Sequence, residues 1–251
     1  MSSDKPVAIF DSGIGGLTVL AALQSKLPAE RFVYLGDTAR LPYGTKSSDT
    51  VMRYTQRAAA VLDAFDPKLL VIACNTASAA ALPELERAIP TPVVGVIEPG
   101  ARSAVCRTRG RVGVIGTEST IASGAYTRAL KALRPSLEVL QQPCPLFVPL
   151  AEEGWFDHPV TREVARIYLE PLVSAGVDTL VLGCTHYPLL SAAITAVVGE
   201  SVALVDSASA LASEVSALIV VSTKSPLIWP AAVVKLLAAR AVRTCSGVLP
   251  S

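Results

Sequence analysis

Two cysteines stand where a thiol could do acid–base work. Cys74 follows the apolar run Leu70-Val71-Ile72-Ala73 and precedes Asn75-Thr76, while Cys184 follows Leu180-Val181-Leu182-Gly183 and precedes Thr185-His186. A free cysteine most often serves as a small buried apolar residue, and Cys106, Cys144 and Cys245 are read that way. Cys74 and Cys184 differ, because each sits where a buried strand gives way to a polar turn. Backbone N–H groups and a following helix N-terminus are placed there to lower a thiol pKa. Two such thiols, facing each other across a cleft, suit a reaction that moves a proton from one face of a carbon to the other. A thiolate on one side removes the proton and a thiol on the other returns one; exchanging the roles runs the reaction backwards. The carbanion between them needs a desolvated base and electrostatic stabilisation. No pyridoxal-lysine signature is apparent, so no cofactor is expected.

The thiols need partners. Asp11, in Asp11-Ser12-Gly13-Ile14-Gly15-Gly16, ends the first apolar run and is expected beside the strand end that carries Cys74. Its plainer reading is an N-cap of the next helix. His186, one of only two histidines, lies two residues after Cys184, close enough to stabilise or reprotonate that thiol. Its plainer reading is a turn histidine satisfied by backbone. The glycines after Ser12 lack the spacing and the lysine of a phosphate loop, which leaves a phosphate- or nucleotide-binding module as a distant alternative. A cysteine hydrolase needs one nucleophile with a base and has no place for a second equivalent thiol.

Positioning these residues requires buried strands. Apolar runs at Val7–Phe10, Phe32–Leu35, Leu69–Ala73, Val93–Ile97, Val112–Ile115, Glu138–Leu140, Thr179–Leu182 and Val202–Val205 alternate with Ala/Leu-rich helical stretches. That alternation predicts an α/β fold with parallel sheets covered on both faces and active residues at the strands' carboxyl ends. The order also repeats. Val7–Gly13 matches Val112–Glu118 at an offset of 105 residues, and Leu70–Thr76 matches Leu180–His186 at 110. Two pseudosymmetric α/β domains follow, with the active site in the cleft between them. The first takes residues 1–97 together with about 208–251, and the second takes 98–207. The boundary is placed near Glu98-Pro99-Gly100, and the chain recrosses near Asp206-Ser207.

Composition narrows the setting. Half of the 251 residues are apolar (51%), 17% are charged and the formal net charge is +1, which asks for neither nucleic acid nor an anionic membrane as partner. The cluster Arg102, Arg107, Arg109, Arg111 reads as a solvated helix end and loop. The opening Met1–Pro6 is no signal peptide, and the best membrane candidate, Leu227–Val242, is broken by Pro230, Lys235 and Arg240. A cytoplasmic protein is expected. Five cysteines without close pairing suit a reducing compartment with free thiols, and no His/Cys cluster indicates a metal.

Five segments carry a resemblance. Asp11–Gly16, Leu35-Gly36-Asp37-Thr38-Ala39-Arg40-Leu41-Pro42-Tyr43-Gly44, Ala73-Cys74-Asn75-Thr76-Ala77-Ser78, Val112–Thr117 and Gly183-Cys184-Thr185-His186-Tyr187-Pro188 together resemble the glutamate racemases of the aspartate/glutamate racemase family, over residues 6 to 215. The resemblance implies Cys74 and Cys184 as the catalytic pair, with Asp11 assisting the first and His186 the second. It implies Glu152 as a further carboxylate, its neighbour Glu153 remaining open. Substrate contacts so implied are Asp11, Ser12, Tyr43, Gly44, Asn75, Thr76, Thr117, Thr120, Thr185 and His186; for Tyr43 a loop aromatic capping the core is the alternative. The implied activity is interconversion of L- and D-glutamate, an isomerase supplying D-glutamate for peptidoglycan synthesis, cell wall biogenesis and cell shape. A racemase of the same fold acting on aspartate or hydantoins is the nearest rival. A homodimer is expected, and a DNA gyrase partner, known for some such racemases, is left open because no residue here bears on it. After Val215 the sequence departs from the family, reading Ile219-Val220-Val221-Ser222-Thr223-Lys224 and then a proline-punctuated apolar tail.

Overall fold

The computed structural model describes residues 4–224. Cys245, the Leu227–Val242 stretch and the rest of the atypical tail lie outside the described residues.

In chain order the first half holds β1 (Val7–Asp11), α1 (Leu17–Lys26), β2 (Phe32–Gly36), α2 (Ser48–Asp63), β3 (Leu69–Ile72), α3 (Asn75–Ala88) and β4 (Val93–Gly95). There follow α4 (Ile97–Arg107), β5 (Arg111–Gly116), α5 (Glu118–Ala122), α6 (Ala125–Leu133), β6 (Glu138–Pro143), α7 (Phe147–Glu152), α8 (Pro159–Ser174), β7 (Thr179–Gly183), α9 (Ser191–Val198), β8 (Ala203–Asp206) and α10 (Ser207–Lys224). Every expected strand forms. The run at Val93–Ile97 stops being a strand at Gly95, because Ile97 already opens α4, and β6 runs on to Pro143. Glu98, Pro99 and Gly100 fall in the first turn of α4, where a proline costs no helical hydrogen bond.

The strands make two parallel sheets, ordered β2-β1-β3-β4 and β6-β5-β7-β8. The sequence repeat therefore corresponds to topology. β1 and β5 hold the second place in their sheets, and β3 and β7 hold the third.

Alternation along each strand feeds two cores, as a sheet covered on both faces requires. Val7 and Ile9 of β1 and Leu69 and Val71 of β3 face one core, with Val19 and Leu23 of α1. Ala8, Phe10, Leu70 and Ile72 face the other, with Val51, Ala59 and Leu62 of α2. The parity carries past the strand end, so Cys74 joins the side of Leu70 and Ile72. Cys184 likewise continues the side of Leu180 and Leu182. Strand period alone thus decides where both thiols point.

Helix α10 places Ala208, Leu211, Ala212, Val215 and Leu218 at helical spacing into the core of the first sheet. Helix α4 packs Ile97, Ala101 and Ala104 against Val112, Val114 and Val181 of the second. Arg102 ties the two helices together, bonding Glu214 at 2.7 Å and Glu98 at 3.2 Å, with its side chain only 12% exposed. Arg102 thus departs from the reading of the arginine cluster as solvated, whereas Arg107 and Arg109 are exposed as that reading expects. Cys106 also departs from expectation: it is exposed on α4 and disulfide-bonded, whereas Cys74, Cys144 and Cys184 are free and buried. Among the described residues no helix is long and apolar enough to cross a membrane.

Candidate active site

Asp11 is the last residue of β1 and fully buried. Its Oδ2 accepts hydrogen bonds from the backbone N–H groups of Gly13 and Gly16, both at 3.0 Å, so it organises the glycine turn that leads into α1. Its Oδ1 accepts from the Thr185 hydroxyl of the other half at 3.4 Å. The plainer turn-capping reading and the functional one therefore describe the same carboxylate. No Cβ fits at Gly16, because it would lie 2.3 Å from the Asp11 Cβ.

Cys74 is the N-cap residue of α3, and its sulfur accepts from the Ala77 N–H at 3.4 Å. Asn75 and Thr76 follow in the first turn, both buried. The Thr76 hydroxyl lies 3.0 Å from those of Thr117 and Thr120, which begin α5 in the other half. Ser12, Gly44 and Tyr43 complete this side. The Tyr43 side chain itself turns into the core: its ring lies against Phe10 and Tyr54, and its hydroxyl donates to Asp37 at 2.7 Å. Its side chain is thus a core aromatic.

Across the cleft, Cys184 follows β7. The His186 Nδ1 lies 3.8 Å from its sulfur, and the opposite ring nitrogen, Nε2, lies 2.6 Å from Glu152 Oε1. The imidazole is 4% exposed and the carboxylate 30%. Glu152, at the end of α7, rather than its neighbour Glu153, is thus the carboxylate joined to the histidine. Sulfur, imidazole and carboxylate form a line from the buried centre towards solvent.

Both thiols line one cavity of about 30 Å³, together with Ser12, Tyr43, Gly44, Asn75, Thr76, Thr117, Thr185 and His186. Asp11 and Thr120 stand behind that lining. An adjoining apolar vestibule of about 280 Å³, lined by Leu41, Pro42, Val148, Pro149 and Glu152 among others, opens beside it. The inner cavity has room for only one or two water molecules. Contacts between the two halves close it in. Ser119 donates to the Lys46 carbonyl at 2.8 Å, Thr18 to the Thr185 carbonyl at 3.2 Å, and a Cβ on Gly44 would lie 2.5 Å from that of Thr117.

Electrostatics corrects one expectation. Burial, followed by the charge of Asp11, pushes the Cys74 thiol up to about 11, against weaker lowering by Ser12 and the N–H groups of Ala77 and Thr76. Burial also raises Cys184 despite the N–H groups of His186 and Tyr187. Helix-end donors are present as expected, but desolvation outweighs them in the closed cleft. Asp11 is raised too, by burial first, against the Gly13 N–H and the charge of His186.

The model of the Asp/Glu/Hydantoin racemase family matches residues 17–215. The chain belongs to this family. A glutamate racemase of Geobacter metallireducens is 61% identical over 205 residues, covering 81% of this chain and 76% of that one. Among solved structures, glutamate racemase isoform RacE1 from Bacillus anthracis superposes with a TM-score of 0.85 at 39% identity, covering 92% of this chain and 86% of its own. The glutamate racemase of Francisella tularensis, solved in complex with D-glutamate, gives 0.82 at 37% identity, with 88% and 82% covered. Within this racemase fold, three residues that the sequence does not single out hold others in place. Tyr34 donates to the Gly13 carbonyl, Asp37 holds Tyr43 and Arg40, and Tyr126 donates to Asn75 Oδ1 at 2.7 Å. Asp37 lies inside the Leu35–Gly44 segment, so its position was a signal; Tyr34 and Tyr126 carry none.

Proposed function

We propose that this racemase interconverts L- and D-glutamate by a two-thiol mechanism without a cofactor. The observation that carries the reading is that Cys74 and Cys184, at equivalent strand ends of two topologically matching sheets, line a single cavity. An amino acid held there has one thiol on each face of its α-carbon. One sulfur, as thiolate, takes the α-proton while the other, as thiol, delivers its own to the opposite face. Asp11 acts beside Cys74. His186, backed by Glu152, exchanges protons with Cys184 and links that sulfur to the vestibule. Hydroxyls and amides of Ser12, Asn75, Thr76, Thr117 and Thr185, with backbone at Tyr43 and Gly44, bind the carboxylates and ammonium with few formal charges; Thr120 supports Thr76 and Thr117. Both thiols are raised in the closed cleft, so the substrate's ammonium is the charge that helps one of them ionise. Glutamate as the substrate is supported by the curated glutamate racemases at 61% and 52% identity.

The same proposal places the protein in the cytoplasm, as a homodimer, supplying D-glutamate to peptidoglycan, with the first domain formed by 1–97 and the chain from about 208. The test is purified protein with L-glutamate in deuterated water and no added cofactor. Circular dichroism decays to zero as deuterium enters the α-position. A chain that leaves both signals unchanged, or needs added pyridoxal phosphate, overturns the reading.

A further inference from the structure

Tyr126 stands on α6, fully buried, and reaches across the cleft to the Asn75 side chain on α3. Its ring occupies a slot that exists because two neighbours are glycines. A Cβ on Gly100 would come within 3.2 Å of the phenol oxygen, and one on Gly183 within 3.1 Å of the ring. Ser207, whose hydroxyl donates to the Leu182 carbonyl at 3.4 Å, stands beside the same slot. A side-chain amide has an acceptor end and a donor end, and Tyr126 engages the acceptor, Oδ1, at 2.7 Å. The donor, Nδ2, is buried and has no partner, although Asn75 lines the cavity that holds both thiols. Buried donors are nearly always satisfied, and an exception at a binding cavity points to a ligand.

We propose that Tyr126 is a positioning residue: its hydroxyl fixes the Asn75 amide so that the nitrogen faces the cavity and donates to a carboxylate oxygen of the bound amino acid. The inference rests on the glutamate reading above. Flipped by half a turn, the amide would present its oxygen to the carboxylate and repel it. Because Tyr126 and Asn75 belong to opposite halves, the donor is oriented only when the cleft closes. Binding and closure are therefore coupled through one hydrogen bond.

The test is Tyr126→Phe in the full chain, which keeps the ring in its slot and removes only the hydroxyl. KM for L-glutamate is expected to rise about tenfold, as the loss of one hydrogen bond allows, while kcat falls less than threefold. In an Asn75→Ala background the same change should alter KM less than twofold, which a packing defect would not respect. Asn75→Asp is the second variant, since it still accepts from Tyr126 but puts negative oxygen where the donor stood. It should weaken glutamate binding more than Asn75→Ala does. A Tyr126→Phe enzyme with wild-type KM, an equal effect with and without Asn75, or an Asn75→Asp enzyme that binds as the wild type does would each overturn the proposal. Wild-type turnover in the same assay separates this from failure of the glutamate reading.

Discussion

Glu152→Gln removes the charge that backs His186 while keeping its length and an amide able to hydrogen-bond. The imidazole Nε2 lies 2.6 Å from the carboxylate oxygen, with the ring nearly buried and the carboxylate 30% exposed. A hydrogen bond to a charged group contributes about 1.5–3 kcal/mol, and partial exposure argues for the lower end. About 1.4 kcal/mol at the transition state in which Cys184 moves a proton is about tenfold in rate. Enantiomers have equal free energy, so kcat/KM must fall by the same factor in both directions. The direction of the defect appears instead in the α-deuterium isotope effect on kcat/KM. It should grow for the enantiomer that gives its proton to Cys184, because that step becomes more rate-limiting. For the other enantiomer it should shrink towards unity. Following loss of circular dichroism with α-protonated and α-deuterated glutamate of each hand measures both. An unchanged rate, or isotope effects that move together for both enantiomers, would refute the assignment of Glu152 to the Cys184 side.

Four further outcomes rest on the same geometry. Because the Cys74 thiol is pushed up to about 11, its thiolate fraction grows about tenfold per pH unit below that value, so kcat/KM should climb from pH 7 to 9; a flat or falling profile contradicts the thiolate base. The same raised pKa favours the protonated folded state, so its stability contribution is full below the ordinary value of 9.0 and is lost as pH rises through about 11, which thermal melts of wild type against Cys74→Ala should reveal. Burial raises the Asp11 pKa, so its ionised form is disfavoured by the fold at neutral pH; Asp11→Asn should match or exceed the wild-type Tm while kcat drops, and a large loss of Tm would show that the charge is needed for the turn. Gly44→Ala puts a Cβ 2.5 Å from that of Thr117 and props the halves apart by about an ångström, which should lower kcat/KM about a hundredfold with little change in Tm; wild-type kinetics would mean that closure tolerates the gap.

Much of the fold was legible because strand period and helix period are written in residue type. All eight strands, the parallel sheets and the internal repeat follow from apolar runs such as Val7–Phe10 and Thr179–Leu182. The side on which each thiol sits also follows from alternation along β3 and β7. What the residues did not reveal depends on three-dimensional surroundings. The helix-end donors near Cys74 were readable, but the desolvation that outweighs them comes from the burial of the thiol between the two halves. Tyr43 reads as a binding residue from its segment, yet its hydroxyl is taken by Asp37 and its ring by Phe10 and Tyr54. Tyr126 carries no local signal, since its partner Asn75 is 51 residues away and its slot is made by two distant glycines. The bond from Arg102 to Glu214, 112 residues away, is a long-range fact of the same class.

Two thiols acting separately on opposite faces of one substrate can be told apart with Cys74→Ser and Cys184→Ser. A serine hydroxyl is too weak an acid to supply a base near neutral pH, so each variant keeps one competent sulfur and loses net racemisation. Each should still act on a glutamate analogue with a leaving group on the β-carbon. The remaining thiolate takes the α-proton, the leaving group departs with its bonding pair, and a carbon–carbon double bond forms. The two variants should consume opposite enantiomers of that analogue, while Cys144→Ala, which touches neither face, racemises glutamate as the wild type does. Elimination of the same enantiomer by both variants, or near wild-type racemisation by either serine variant, would contradict it.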